Sequence, residues 1–336
     1  MEPNKEPLIS VVLPTYNVAQ YLQQCLESVA AQTYRNIEVI IIIDGATDGS
    51  YEIAQEFCKT DDRFNVYWQE NAGSGPARNN GLAHCQGEFV MFVDPDDWIE
   101  PELLEKLYEA QQEGNYDLVA SGRKMFMTDE KEHVLSVVNC PFKAFESKDV
   151  TEIRQLYVKM LTNEVVSAPT RKLYRHSLIT EHHIDFPDFR RSQDICFNYR
   201  YYRHIRSLRT IEYVGYNYRR PTNSLGARFR KDYYKTVAAL YSDILKMYDE
   251  WSMECDKHSL CNYFFKYRIS PMLQQYATAG WNIKECVEEA NLHEIIATCK
   301  PKGAHLKMMR LFIMLKMYRT ASMIAKMLLK YRRSKM

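Results

Sequence analysis

Apolar positions in the first third of the chain follow two alternating rhythms. Residues 8–13 form a β-rich apolar run that stops at Pro14, and the next stretch puts Val18, Leu22, Cys25, Leu26 and Val29 on one helical face. Residues 38–43 are a continuous Val/Ile run, the mark of a strand buried on both faces. Helical spacing returns over 51–58, β character over 64–68, helix over 75–85 and a short apolar strand over 89–93. A helix over 101–113 and a strand over 118–121 close the series. Strands alternating with helices predict an α/β fold, a mostly parallel sheet with helices on both faces. In such sheets ligands bind at the carboxyl ends of the strands.

Farther along, 125–139 suits a hairpin or excursion, 148–161 a helix and 208–218 another strand. Beyond Asp232 nearly everything reads as helix, with Tyr, Met and Lys at helical spacing, so a soft boundary falls at 225–232. The chain has 336 residues, room for one large domain or two modest ones with real cores. Its formal net charge of +1 implies no global field for nucleic acid. Residues 1–7 lack the apolar core of a signal peptide, and no run of about 18 apolar residues offers a membrane span. The nine cysteines are scattered, odd in number and free of any CxxC pair, which suits reduced thiols in a cytosolic protein. Cys255 and Cys261, the nearest to a pair, do not make a zinc site.

Candidate chemistry sits where the strands end. Asp94, Asp96 and Asp97 directly follow the 89–93 strand, and a cluster of like charges there is costly without a cation. A hard divalent ion shared with a substrate phosphate would neutralise it; an acidic turn that caps the helix near Pro101 is the plain alternative. Pro14-Thr15-Tyr16-Asn17 ends the first strand, where Thr or Tyr could meet a planar base, or Asn17 could cap a helix. Asp44 ends the second, placed to accept from a base imide or ribose hydroxyl, with Asp48 a candidate helix cap. After the third strand, Gly73 and Gly75 permit close backbone approach, Pro76 suits a first helical turn, and Arg78 offers a fork to a phosphate or carboxylate.

Four segments in order and spacing give these lips a common meaning. They are Ile9-Ser10-Val11-Val12-Leu13-Pro14-Thr15-Tyr16-Asn17, Asp44-Gly45-Ala46-Thr47-Asp48, Asn71-x-Gly73-x-x-x-Ala77-Arg78-Asn79-x-Gly81-Leu82 and Gly87-Glu88-Phe89-x-x-Phe92-x-Asp94-x-Asp96-Asp97. Together they resemble the family 2 glycosyltransferases of the bacterial polysaccharide-biosynthesis type, closely over 8–120 and more loosely to about 225. The resemblance implies a GT-A (Rossmann-like) fold, a nucleotide-sugar donor (most often UDP-linked), a divalent cation (Mn2+ or Mg2+) and inversion at the anomeric carbon. It implies that Pro14, Thr15, Tyr16, Asn17 and Asp44 frame the nucleoside and that Arg78 supports its pocket. Asp94 and Asp96 become the DxD pair at the diphosphate and metal, with Asp97 beside them. Asp194 becomes the catalytic base, with Asp188 the runner-up and a helix N-cap the plain alternative. Arg219 or Arg220 would close over the diphosphate; a solvated strand end explains them equally well.

The match has departures. Ile43 stands where many relatives carry Asp or Asn, Ala46 where Ser is common, Thr170 where Trp is common, and Gln193 replaces a Glu before the base. The segment Arg171-Lys172-Leu173-Tyr174-Arg175 follows the family pattern ahead of the base, whereas His182 and His183 read as surface residues. No Gln-x-x-Arg-Trp motif of the processive relatives occurs, so one sugar per encounter is expected.

Residues 303–336 carry no acidic residue and many Lys and Arg. A helix over 315–330 would set Lys316, Arg319, Lys326 and Lys330 on one face and Met317, Ala321, Ile324 and Leu328 on another. Such a helix suits the anionic inner leaflet of a membrane, or simply packs on the domain with a solvated basic face. The expected organisation is a GT-A domain at 1–228, with 8–120 as its nucleotide-binding half and 121–228 its acceptor-binding half, then a helical region at 229–336. The expected protein is a cytoplasmic transferase, peripheral to the membrane, acting on a saccharide or lipid-linked acceptor and not on nucleic acid. A nucleotidyltransferase and a catalytically weak homologue that scaffolds a membrane complex are the other readings.

Overall fold

The computed structural model describes residues 6–129, 132–188, 192–221 and 231–333. By internal contacts the chain forms two compact units, one of Met1–Tyr157 and Asn163–Ser224, the other of Val158–Thr162 and Leu225–Met336.

The first unit opens with β1 (Ile9–Thr15), α1 (Ala19–Ala30), β2 (Ile37–Asp44), α2 (Ser50–Cys58), β3 (Phe64–Gln69), α3 (Ser74–His84) and β4 (Phe89–Phe92). These four strands run parallel in the order β3-β2-β1-β4, as the periodicity predicts. Register pairs Thr15 with Ile43 and Asp44 with Gln69, so the polar ends of three strands share one edge. Every residue of β1 and β4 is buried, because helices cover both faces. Contact is close enough to require Gly81 of α3. A Cβ there would lie 2.4 Å from Val12 Cγ1.

Beyond β4 the chain makes β5 (Trp98–Ile99), α4 (Leu103–Gly114), β6 (Leu118–Thr128), β7 (Val134–Cys140), β8 (Phe145–Ser147), α5 (Val150–Gln155), α6 (Tyr157–Thr162), β9 (Lys172–Arg175), α7 (His176–Glu181), α8 (Gln193–Tyr202) and β10 (Leu208–Pro221). The 125–139 region is indeed a hairpin, β6 with β7, and the expected 148–161 helix is two short helices. Strand β9 inserts antiparallel between β4 and β6, and β10 runs parallel to β6. The sheet therefore has ten strands and a mixed second half. Strand β6 changes neighbour along its length, pairing with β9 over residues 118–120 and with β7 from Arg123 onward.

The second unit is helical: α9 (Tyr233–Glu250), α10 (Lys257–Phe264), α11 (Ser270–Thr278), α12 (Ile283–Glu289), α13 (His293–Thr298), α14 (Ala304–Met314) and α15 (Tyr318–Arg333). A π-turn, Phe265–Ile269, joins α10 to α11 just before Pro271, which has no N–H to continue the ladder. Leu240, Ile244, Leu260, Phe264, Ile269 and Leu273 are buried at its core. The single helix expected over 315–330 is instead a corner and a helix. Lys316 takes a left-handed φ of 56°, the N–H of Met317 donates to the Phe312 carbonyl, and α15 starts only at Tyr318. Leu315, Lys316 and Met317 thus belong to a turn, and Met317 is exposed; Ala321 and Ala325 form the buried side of α15. The side chain of Lys330 and residues 334–336 lie outside the described residues. No described helix is long and apolar enough to cross a membrane.

Candidate active site

The acidic run after β4 folds into a tight turn. Pro95 presets its second position, and the Asp97 N–H donates to the Asp94 carbonyl at 3.0 Å. The chain then enters β5, whose Trp98 and Ile99 pair with Asn217 and Tyr216 of β10. That pairing brings β10 against the turn. The Tyr216 hydroxyl donates to Asp97 Oδ2 (2.8 Å) and accepts from the Asp94 N–H (3.1 Å). The Arg219 N–H donates to Asp97 Oδ1 at 2.7 Å. Asp97 is thus a buried brace, 1% exposed, and it does not open into the site. Burial, and then the charges of Asp96 and Asp94, push its carboxyl well above the usual range.

Asp96 is half-buried, and burial followed by the Asp94 charge raises it to about 6. Asp94 takes a hydrogen bond from Arg78 Nη2 at 2.7 Å. Arg78 sits one turn into α3, 6% exposed, with its guanidinium over the Phe186 ring and its Nε buried without a partner. Arg219 packs its guanidinium between Tyr21 and Trp98 and donates from Nε to the Asp96 carbonyl at 3.0 Å. Arg220 is exposed and reaches Met125 Sδ.

Asp194 is the second residue of α8, not its N-cap; that position belongs to Ser192, with a left-handed φ of 65°. Gln193 anchors the start of α8 by donating to Ser74 Oγ of α3. Its approach needs Gly75, where a Cβ would fall 2.4 Å from Gln193 Oε1. The result is one cavity of about 300 Å³, faced by Arg78, Asp94, Arg123, Thr170, Asp194 and Tyr218. Two distant segments of sequence, the DxD turn and the 193–194 pair, therefore meet across one space. Asp188, the runner-up, is exposed and does not line it.

The other predicted residues form a neighbouring lip. Thr15 is buried with its hydroxyl on the Leu13 carbonyl, Pro14 is buried in the sheet, and Tyr16 is half exposed. Asn17 does not cap α1. Its Oδ1 accepts from the Thr47 N–H at 2.8 Å, tying the first lip to the second. Asp48 serves both helices, accepting from Ala19 N–H of α1 with Oδ2 and from Ser50 N–H of α2 with Oδ1. Asp44 is buried and accepts from Gln69 Nε2, Ala72 N–H and Gly73 N–H, so it shapes the glycine loop at the end of β3. Three of its roughly four acceptor sites are thereby used within the chain. Ser74 and Arg123 carry no motif signal in sequence, since only the fold brings them to the cavity.

Among the described residues no three His, Cys, Asp or Glu side chains converge into a ready-made ion site. Asp94 and Asp96 offer hard oxygen donors of the kind a divalent ion takes together with phosphate oxygens. The raised Asp96 is a carboxylate short of positive charge. The pair fits a small oxygen-seeking cation whose shell is completed by a bound ligand.

Comparison with known proteins agrees with this geometry. The family described as Glycosyl transferase family 2 matches residues 10–182. EpsH of Bacillus subtilis (strain 168) is 31% identical over 279 residues, 82% of this chain and 79% of its own length. Among solved structures, residues 1-349 of S. aureus TarS in complex with UDP superpose with a TM-score of 0.67 at 20% identity, covering 97% of this chain and 91% of that one. The same fragment in complex with UDP-GlcNAc gives a TM-score of 0.63 at 19% identity, covering 97% and 92%. The mannosyltransferase PcManGT from Pyrobaculum calidifontis, in complex with GDP-Man and Mn2+, gives 0.51 at 14% identity, covering 96% and 87%. These structural likenesses carry the GT-A fold.

Proposed function

The chain belongs to glycosyl transferase family 2, and from that premise we propose that it moves one sugar from a UDP-sugar to a hydroxyl of a saccharide or lipid-linked acceptor, with inversion. The observation that carries this reading is the shared cavity, with the Arg78–Asp94 pair and Asp194 on its walls. The acceptor hydroxyl attacks the anomeric carbon as the bond from that carbon to the diphosphate oxygen breaks. Asp194 takes the proton the hydroxyl loses. Arg78 holds Asp94 in place, and Tyr216 and Arg219 hold the turn through Asp97, so the DxD oxygens are set before ligand arrives. A divalent cation, held by Asp94 and Asp96, would offset the charge that builds on the departing diphosphate. The lip of Pro14, Thr15, Tyr16, Asn17 and Asp44 receives the nucleoside, and Arg219 stands next to the diphosphate. The UDP and UDP-GlcNAc complexes of TarS support a uridine donor, and the Mn2+ in PcManGT supports the ion.

In this reading residues 1–228 are the transferase domain, 8–120 its donor half and 121–228 its acceptor half, and 229–336 is a helical region that serves surface polysaccharide assembly at the cytoplasmic face of the membrane. What supports membrane contact is the surface of α14, the corner and α15. Met308, Leu311, Leu315, Met323 and Met327 are exposed there among Lys and Arg, with no acidic residue. Co-sedimentation with phosphatidylglycerol vesicles and not with phosphatidylcholine vesicles is expected; equal recovery with both would sink the contact.

The donor reading is tested by thermal shift with UDP or GDP, in Mn2+ or EDTA, on the wild type and Asp96→Ala. Binding to the folded state raises Tm. A UDP shift that needs Mn2+ and is lost in Asp96→Ala is expected. No shift with either nucleotide would overturn the proposal.

A further inference from the structure

Behind the acceptor side of the cavity lies a group of cations that the transfer chemistry above does not use. Arg123, from the middle of β6, faces the cavity with its guanidinium over the Tyr218 ring and its Nε buried without a partner. Arg171 is 1% exposed and lies over the Phe142 ring, and its Nε is also buried and unpartnered. Its backbone is left-handed, at φ 59°, a strain that turns the chain so that Lys172 enters β9. Lys172 is fully buried, and its ammonium donates to the Ala168 carbonyl, part of the cavity wall.

Counter-charge is short here. Arg123 and Arg171 share one carboxylate, Glu164, whose side chain is half exposed and stands 3.9 Å from Arg171. Asp194 is the other acid acting on Lys172. Among the described residues these three basic groups face two carboxylates, and the Asp94 charge is already matched by Arg78. Burial, with Arg171 and then Arg123 beside it, drives the Lys172 ammonium well below its ordinary value, and burial with Arg123 lowers Arg171 to about 9. A bound anion would relieve both.

We propose that this end of the cavity binds an anionic group of the acceptor, a phosphate ester or a carboxylate close to the hydroxyl that receives the sugar. The inference rests on the transferase reading and narrows its acceptor. Arg123 supplies the fork that touches the anion, and the planar guanidinium suits both candidate groups. Arg171 and Lys172 act through the field behind the wall and are positioning residues. A neutral sugar would offer the Arg123 fork no charge to pair with, so the site favours charged acceptors over neutral ones.

The test uses the full chain saturated with UDP and Mn2+, titrated by ligand-observed NMR with glycerol 3-phosphate, glucuronate, glycerol and glucose. The charged probes are expected to bind at least roughly tenfold more tightly than their neutral counterparts. Arg123→Gln is expected to lose about that factor for the charged probes while its affinity for UDP stays that of the wild type. Tighter binding of glycerol 3-phosphate assigns a phosphate-bearing acceptor, and tighter binding of glucuronate a uronic acid. Equal binding of neutral and charged probes, or no effect of Arg123→Gln, overturns the anion site and leaves the transferase reading intact. Charged probes that bind the UDP-free chain but not the UDP-saturated one also overturn it, because the cations would then serve the donor. Failure of the wild type to bind UDP removes the transferase reading and this inference with it.

Discussion

Asp97→Asn tests the claim that the third acid of the turn is a neutral brace. Asp97 is 1% exposed, with one oxygen on the Arg219 N–H and the other on the Tyr216 hydroxyl. Burial and the neighbouring Asp96 and Asp94 charges raise its pKa well above the ordinary value, so the folded state retains a proton that the unfolded chain releases near pH 4. The unfolded state then binds fewer protons than the native state, and wild-type stability falls as pH rises through the interval between the two pKa values. The slope from this one group is up to about 1.4 kcal/mol per pH unit. An asparagine has the size and the acceptor oxygen of the neutral acid but no proton to lose. The variant is therefore expected to match the wild type near pH 4 and to gain on it as pH rises through the interval between the two pKa values. Paired thermal melts in EDTA at half-unit intervals of pH measure this, with EDTA excluding cations that would ionise the cluster. A constant difference in Tm across the range would refute the reasoning, and a variant that loses ground as pH rises would mean that Asp97 is ionised in the fold.

Two further outcomes follow from single contacts. Arg78→Met removes the 2.7 Å partner of Asp94 at the proposed diphosphate site. A charge-assisted hydrogen bond contributes about 1.5–3 kcal/mol, so calorimetry should show UDP affinity in Mn2+ reduced roughly 10- to 100-fold; unchanged affinity would remove Arg78 from the donor site. Gly81→Ala places a methyl 2.4 Å from Val12 Cγ1, between α3 and the sheet. Overpacking of this kind costs about 1–3 kcal/mol, so Tm should fall while UDP affinity is retained; an unshifted Tm would mean that α3 is free to move away from β1.

The first four strands were readable because their signals are local. Residues 38–43 form an uninterrupted Val/Ile run that only a strand covered on both faces explains, and β2 is buried along nearly its whole length. The polar lips after β1, β2 and β4 could be assigned to one edge because parallel strands must all end on the same side. Strand β9 gave no such signal. It is four residues long, contains Lys172 and Arg175, and is a strand because β4 and β6 leave a gap that it fills. The corner at Lys316 was equally hidden, since Leu, Lys and Met are all good helix formers and nothing there commands a stop.

The sequence by itself determined the residue types of the chemistry, three carboxylates at a strand end, an Arg one turn into a helix and a further Asp far downstream, together with the family they resemble. Tertiary structure alone decided what each one does. Asp97 became a brace because β5 and β10 close around it, Asp44 a support for the glycine loop, and Asp194 a wall of the cavity because Gln193 reaches Ser74 past Gly75. The cations Arg123 and Lys172 lie 49 positions apart by number and meet only because β6 exchanges β9 for β7 along its length. Side-chain chemistry is a property of the residue, but burial, pairing and pKa are properties of neighbours, and neighbours come from the fold.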